Sequence, residues 1–204
     1  MRYTEDPLGK LDDCWTKECF VPDRSWKLLG SRPVSEHRIF RLRYDRYRVE
    51  PAGAERDFVV METPDWVNVV PLTPDGQVVL VRQYRHGIRR SSLEAPGGMV
   101  DPGESPEQAA VRELQEETGY APERIRLLGR VSPNPAIQDN WCYLYLAEGC
   151  RLAAAPQPEQ FERIEVELHP LAEIPELVRS EKICHALVID ALGFLGLTPR
   201  GDEP

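Results

Sequence analysis

Two short apolar runs, WVNVVPL at 66–72 and QVVLVRQYR at 77–85, flank the step Pro74-Asp75-Gly76. β-Branched residues at that density predict two strands, and the Pro-Asp-Gly step predicts the hairpin between them. Upstream, residues 26–61 alternate in short β-rich runs about a Pro51-Ala52-Gly53 turn. Downstream, strands are expected near 125–132, 141–147 and 163–168, and helices near 171–179 and 182–195. The stretch AAAPQPEQ at 153–160 reads as a connecting loop, and no internal repeat is present. This order of strands, a central helix and closing helices predicts an α/β sandwich.

The central helix carries the sharpest local signals. Ser105 is placed to cap it, Pro106 suits the first helical position and Gln108 completes a Ser-x-x-Gln capping box. Glu107, Ala110, Val111, Leu114 and Thr118 share one stripe whose apolar members pack inward, and Gly119 provides a left-handed stop. Glu113, Glu116 and Glu117 then fall within an arc of about 100°, with Glu113 and Glu117 at the border of the stripe and Glu116 pointing away. Like charges that close repel unless a cation sits among them. A solvated acidic helix accounts for any one of these glutamates taken alone. Together they suit a hard divalent ion such as Mg²⁺, which takes oxygen ligands and keeps positions open for phosphate oxygens.

Composition narrows the partners. The 204 residues are 41% hydrophobic and 29% charged, enough for one substantial core, and the net charge of −9 opposes binding to nucleic acid. No apolar run approaches the ~18 residues of a membrane span, and MRYTEDPLGK lacks a signal-peptide core, so a cytoplasmic protein with no membrane partner is expected. Five scattered cysteines (Cys14, Cys19, Cys142, Cys150, Cys184) do not read as a disulfide framework, and neither Cys14-x4-Cys19 nor Cys184-His185 has paired zinc ligands at a convincing spacing. His37, His86, His169 and His185 are scattered and receive no role. An anionic small molecule needs local cations, and Arg82, Arg85, Arg89 and Arg90 with His86 form the densest basic cluster. An ordinary basic loop accounts for Arg89 and Arg90 equally well.

The full pattern from Gly98 to Tyr120 resembles the box of the Nudix hydrolase family, Gly-x5-Glu-x7-Arg-Glu-apolar-x-Glu-Glu-x-Gly-apolar. Its places are Gly98, Glu104, Arg112, Glu113, Leu114, Glu116, Glu117, Gly119 and Tyr120. The chance of such a match in a chain of this length is on the order of 10⁻⁷ to 10⁻⁶. Gln83-Tyr84-Arg85 is similar to a segment of the ADP-ribose pyrophosphatase branch. The resemblance implies a Nudix-type α/β/α sandwich with a mixed sheet, and a small N-terminal β-sheet that pairs two subunits. The organisation it suggests is an extension at 1–23, a dimerising β segment at 24–61, a catalytic domain at 62–198 and a tail at 199–204, with a homodimer as the assembly. Trp15 and Phe20 of the extension are candidates to dock on the core.

The resemblance further implies Mg²⁺, or Mn²⁺, held by Glu113, Glu116, Glu117 and the Gly97 carbonyl, with Glu113, Glu116 and Arg112 in the catalytic machinery. Arg112 orients the glutamates by ion pairing and Glu104 braces it. Trp26, Tyr84 and Arg85 are the substrate-binding candidates; Trp66, Trp141 and Tyr143 are further aromatics for stacking, unless they serve the core. The expected reaction splits a nucleoside diphosphate derivative, foremost ADP-ribose to AMP and ribose 5-phosphate. In that branch a glutamate after the box is often implicated as base, but residues 132–147 hold only Asp139 as a carboxylate. The base is therefore Asp139, metal-bound water alone, a box glutamate, or Glu159 or Glu162. The rival reading is a non-catalytic module that senses ADP-ribose-like ligands.

Overall fold

The computed structural model describes residues 23–157 and 163–199. The N-terminal extension with Trp15, Phe20, Cys14 and Cys19, the candidates Glu159 and Glu162, and the tail beyond 199 lie outside the described residues.

Three strands come first: β1 (Trp26–Glu36), β2 (Arg41–Val49) and β3 (Ala54–Glu62), an antiparallel sheet of its own in the order β1-β2-β3. The Pro51-Ala52-Gly53 turn joins β2 to β3 as its sequence predicts. Strands β4 (Trp66–Leu72) and β5 (Gln77–Arg85) have the expected bounds, with Thr73 closing the turn between them. Next come β6 (Arg90–Glu94) and β7 (Gly97–Met99), helix α1 (Pro106–Thr118), β8 (Tyr120–Ala121) and β9 (Arg124–Val131). The chain ends through β10 (Cys142–Glu148), β11 (Arg151–Leu152), β12 (Ile164–Pro170), a 3-10 turn, α2 (Ile174–Arg179) and α3 (Ala186–Phe194).

The large sheet runs β12-β5-β4-β10-β9, with β6 added to β5 and β7 to β4; β8 and β11 form a separate two-stranded pair. It is mixed, because β4 and β10 are parallel while the other pairs are antiparallel. Strict alternation along β4 and β10 gives the sheet two apolar faces. Val67, Val69, Tyr145 and Ala147 meet Ala109, Ala110 and Leu114 of α1 on one face. Val70, Leu144 and Leu146 meet Ile174 and Leu177 of α2 and Leu187 and Val188 of α3 on the other. The result is the α/β/α sandwich. Leu114 is fully buried at the centre of the α1 layer, and burying such a side chain stabilises the packing by about 1.5–3 kcal/mol.

The parallel pair fixes where function can reside. Because β4 and β10 start at the same end, the segments before them, 61–65 and 132–141, lie side by side. β7 joins β4 at that end too, pairing Gly98 with Val67 and Gly97 with Asn68. Asp65 ties the three together: its carboxylate accepts from Trp141 N–H at 2.8 Å and its carbonyl from Val100 N–H at 2.8 Å.

Candidate active site

Helix α1 is held as its local code dictates. The Ser105 side chain accepts from the Gln108 backbone N–H and Gln108 accepts from that of Ser105, while Gly119 ends the helix at φ 76°. A Cβ at Gly119 would also lie 2.2 Å from the Ala154 carbonyl oxygen, so both conformation and space require glycine. The inward stripe differs from expectation at two places. Ala109, outside the expected stripe, is buried with Ala110 and Leu114, and Glu117 is only 3% exposed instead of marking the border. A carboxylate tolerates such burial when it is hydrogen-bonded, and Glu117 Oε2 accepts the Gly97 N–H at 3.0 Å.

Arg112 organises the rest. It donates from Nε and Nη2 to the two oxygens of Glu104, each at 2.9 Å, and from Nη2 to the Met99 carbonyl at 3.0 Å. Its Nη1 donates to Glu113 at 2.8 Å and to Glu116 at 3.1 Å. One guanidinium thus joins the loop before the helix, strand β7 and two carboxylates on the helix itself. The hydrogen bonds from Arg112 hold Glu104 below the usual carboxylate range, and the same contacts, led by Glu104, raise Arg112 further above neutrality.

Strand β7 passes so close at Gly97 and Gly98 that neither position has room for a side chain. A Cβ at Gly97 would stand 2.1 Å from the Val67 carbonyl oxygen, and one at Gly98 would stand 2.3 Å from Glu113 Oε1. Glu113 and Glu117 therefore meet the same two-residue stretch of backbone. Among the described residues no three His, Cys, Asp or Glu side chains converge at ligating distance; Arg112 holds Glu113 and Glu116, and Glu117 is turned to Gly97. The donors gathered at this stretch are hard oxygens only, which is the chemistry of a Mg²⁺ or Mn²⁺ site and unlike that of a zinc site built on thiolates. The donor set fits a hard divalent ion.

Other sequence candidates lie elsewhere. Asp139 accepts from Arg43 Nη1 at 2.9 Å, away from the α1 carboxylates in the contacts it makes. Arg85 is engaged by Glu94 through two bonds of 3.0 and 2.6 Å. Tyr84 is exposed beside His86. Trp26 stands in the small sheet, edge-on to Tyr47 and Phe58. Trp66 packs into the α2/α3 core and Tyr143 against the α1 core, while Trp141 carries the Arg130 guanidinium 4.4 Å from its ring centre.

The NUDIX domain model matches residues 63–190. The chain belongs to the Nudix family. It is 28% identical over 176 residues to an ADP-ribose pyrophosphatase of Bacillus subtilis (strain 168), spanning 84% of this chain and 95% of that protein. It is 30% identical over 193 residues to an ADP-ribose pyrophosphatase of Mycobacterium tuberculosis, spanning 90% and 93%. A crystal structure of an ADP compounds hydrolase matches with a TM-score of 0.77 at 24% identity, covering 87% of this chain and 95% of that one. The Nudix fold and the resemblance to the ADP-ribose pyrophosphatase branch read from the sequence are both borne out.

Reading by sequence missed Glu94. It is 1% exposed on β6 and receives Arg85, and His185 Nδ1 approaches it to 3.0 Å off the line of a good hydrogen bond. These groups border a cavity of about 310 Å³ with Arg90, Ile88 and Cys184, on the α3 side of the sheet. Burial alone raises the Glu94 pKa, but His185 and Arg85 outweigh it and bring it down to about 2. Only the alternation Ser92-Leu93-Glu94 running into β7 hints at this, and it does not say which face is covered.

Two predictions follow from these contacts. Gly98→Ala should leave the unfolding midpoint nearly unchanged, because a flexible carboxylate yields, but should displace Glu113; Gly97→Ala, which meets backbone, should cost about 1–3 kcal/mol in a urea titration. Glu94 is depressed in the folded state, so its stabilisation is complete above the ordinary value of 4.5 and is lost as pH falls toward about 2. Glu94→Gln should therefore lower stability at pH 7 by roughly 2–4 kcal/mol, with the gap from the parent narrowing as urea titrations are carried to pH 2.

Proposed function

We propose that this protein is a divalent-metal-dependent pyrophosphatase that hydrolyses a nucleoside diphosphate derivative, with ADP-ribose cleaved to AMP and ribose 5-phosphate as the first choice. One observation carries the reading: the acidic face of α1 is intact, ordered by Arg112 and set against the bare backbone of Gly97 and Gly98. Near full-length similarity to ADP-ribose pyrophosphatases supports the substrate class. An unaltered set of box carboxylates favours turnover over mere sensing.

Glu113 and Glu117, with Glu116 and the Gly97 carbonyl, are assigned to Mg²⁺, Mn²⁺ being a substitute. When bound, the metal neutralises diphosphate oxygens and acidifies a bound water. In the overall hydrolysis a water oxygen would join one phosphorus as the bridging oxygen departs with the other, giving two monophosphates. Arg112 acts as a positioning residue: paired to Glu104 and Met99, it holds Glu113 and Glu116 aimed at one place. The basic end of β5, with Arg85 and Tyr84, is assigned to substrate from its chemistry. We also read the protein as cytoplasmic, where nucleotide derivatives occur. No helix among the described residues is long and apolar enough to cross a membrane.

The small sheet is assigned to homodimer contact, with Trp26 contributing to a pocket shared between copies. Trp26, Leu28, Val34 and Val59 are all more than 40% exposed there, an apolar surface that favours cover by a second copy. Sedimentation equilibrium should give twice the chain mass for the parent and a shift toward monomer for Leu28→Arg; a monomeric parent would remove the assignment.

The enzymatic test is release of phosphate, through an added phosphomonoesterase, from ADP-ribose, other nucleotide sugars, dinucleoside polyphosphates and nucleoside triphosphates, with Mg²⁺, Mn²⁺ or chelator. Turnover should need metal and be fastest on ADP-ribose, and Glu117→Gln should lower kcat by about 10²-fold or more. Binding of ADP-ribose with no product after prolonged incubation would instead establish a sensing module.

A further inference from the structure

Arg43 sits at the centre of an ion cluster that the box does not explain. Its Nε donates to both oxygens of Asp45, at 2.9 and 3.1 Å, and Asp45 is only 3% exposed. Its Nη1 contacts Glu62 at 2.6 Å and Asp139 at 2.9 Å. Asp45, which Ser31 also reaches, depends on Arg43 for its counter-charge, since a buried carboxylate without one is costly. Glu62 and Asp139 do not: they are 43% and 37% exposed in their side chains, and ion pairs with that much water contribute about 0–1 kcal/mol to stability. A contact that adds so little stability but joins residues 96 positions apart acts on position.

What it positions is the loop 132–141. Backbone bonds run from Met61 N–H to the Ile137 carbonyl at 2.7 Å and from Asp139 N–H to the Met61 carbonyl at 3.3 Å. The Asn140 side chain donates to the Pro64 carbonyl at 3.1 Å. The same loop ends on Asp65, which also holds Val100 at the root of the box. The loop is therefore fastened at its end by Asp65, which also binds the box at Val100, and along its length by Met61 of the small sheet and by Pro64.

We infer that Arg43 is a positioning residue for the proposed hydrolysis: by clasping Asp139 it fixes the 132–141 loop beside the box, and Asp139 is its anchor rather than the base. The forked guanidinium suits this role because buried Asp45 takes one edge and leaves Nη1 for the loop, a division that the single ammonium of lysine cannot reproduce.

The inference rests on the pyrophosphatase reading, and its test separates the two. Asp139→Asn, Arg43→Lys, Arg43→Gln and the double variant Arg43→Gln/Asp139→Asn are compared with the full-length parent by steady-state kinetics on ADP-ribose and by hydrogen exchange. Asp139→Asn should keep the parent's melting temperature, exchange faster at amides 134–141, and lose about tenfold in kcat/KM, mostly through KM. Arg43→Lys should fall less than Arg43→Gln, and the double variant should lose no more than Arg43→Gln alone. Unchanged exchange and kinetics in Asp139→Asn would overturn the inference. So would loss of kcat with the acidic limb of its pH profile, which would make Asp139 the base. If the parent hydrolyses nothing, the pyrophosphatase reading fails, while the exchange comparison still judges the clasp.

Discussion

Crowding three carboxylates onto one helical turn is unfavourable, and the site exists because Arg112 answers that repulsion from within the same helix. Its five donors reach Glu104, Glu113, Glu116 and the Met99 carbonyl at once. A lysine at this place would supply the charge but not the fork, and loop, strand and helix would lose their common pin. Everything nearby is arranged around that pin: the capping box starts α1 at the right place, Gly119 stops it one residue after Thr118, and Leu114 seats it on β4 and β10.

The chemistry-bearing segment was legible in the sequence because its signals are local. Ser105, Pro106 and Gln108 act within one helical turn, Gly119 marks the other end of the same helix, and β4 and β5 announce themselves by short, mostly apolar runs whose residues are buried on both faces. What was illegible depends on register between distant segments. β6 and β7 read as RSSLE and GGM, too short and too polar to declare themselves, and they are strands only because β5 and β4 supply partners. Glu94 and Glu117 show the same limit: nothing nearby in the chain says that a carboxylate will be buried against an arginine or a backbone N–H. Arg85 reads as a substrate-binding candidate, and its engagement by Glu94 follows from β5–β6 pairing that sequence does not specify.

The sheet also accounts for why, among the described strands, β4 and β10 are parallel while the other pairs are antiparallel. Running β4 and β10 in the same direction brings the starts of both strands, and hence Asp65 and Trp141, to one end. Antiparallel neighbours would put those segments at opposite ends of the core. The single parallel ladder is thus the reason that the box and the following loop share an anchor.

On the β7 side, Gly97 and Gly98 present only main chain to Glu113 and Glu117, and main chain offers the same groups whatever the sequence. Any side chain added there would meet the Val67 carbonyl or the Glu113 carboxylate, so that wall has little room to vary. Room for variation lies instead in the side chains of the surrounding segments, which can change without crowding the two glutamates.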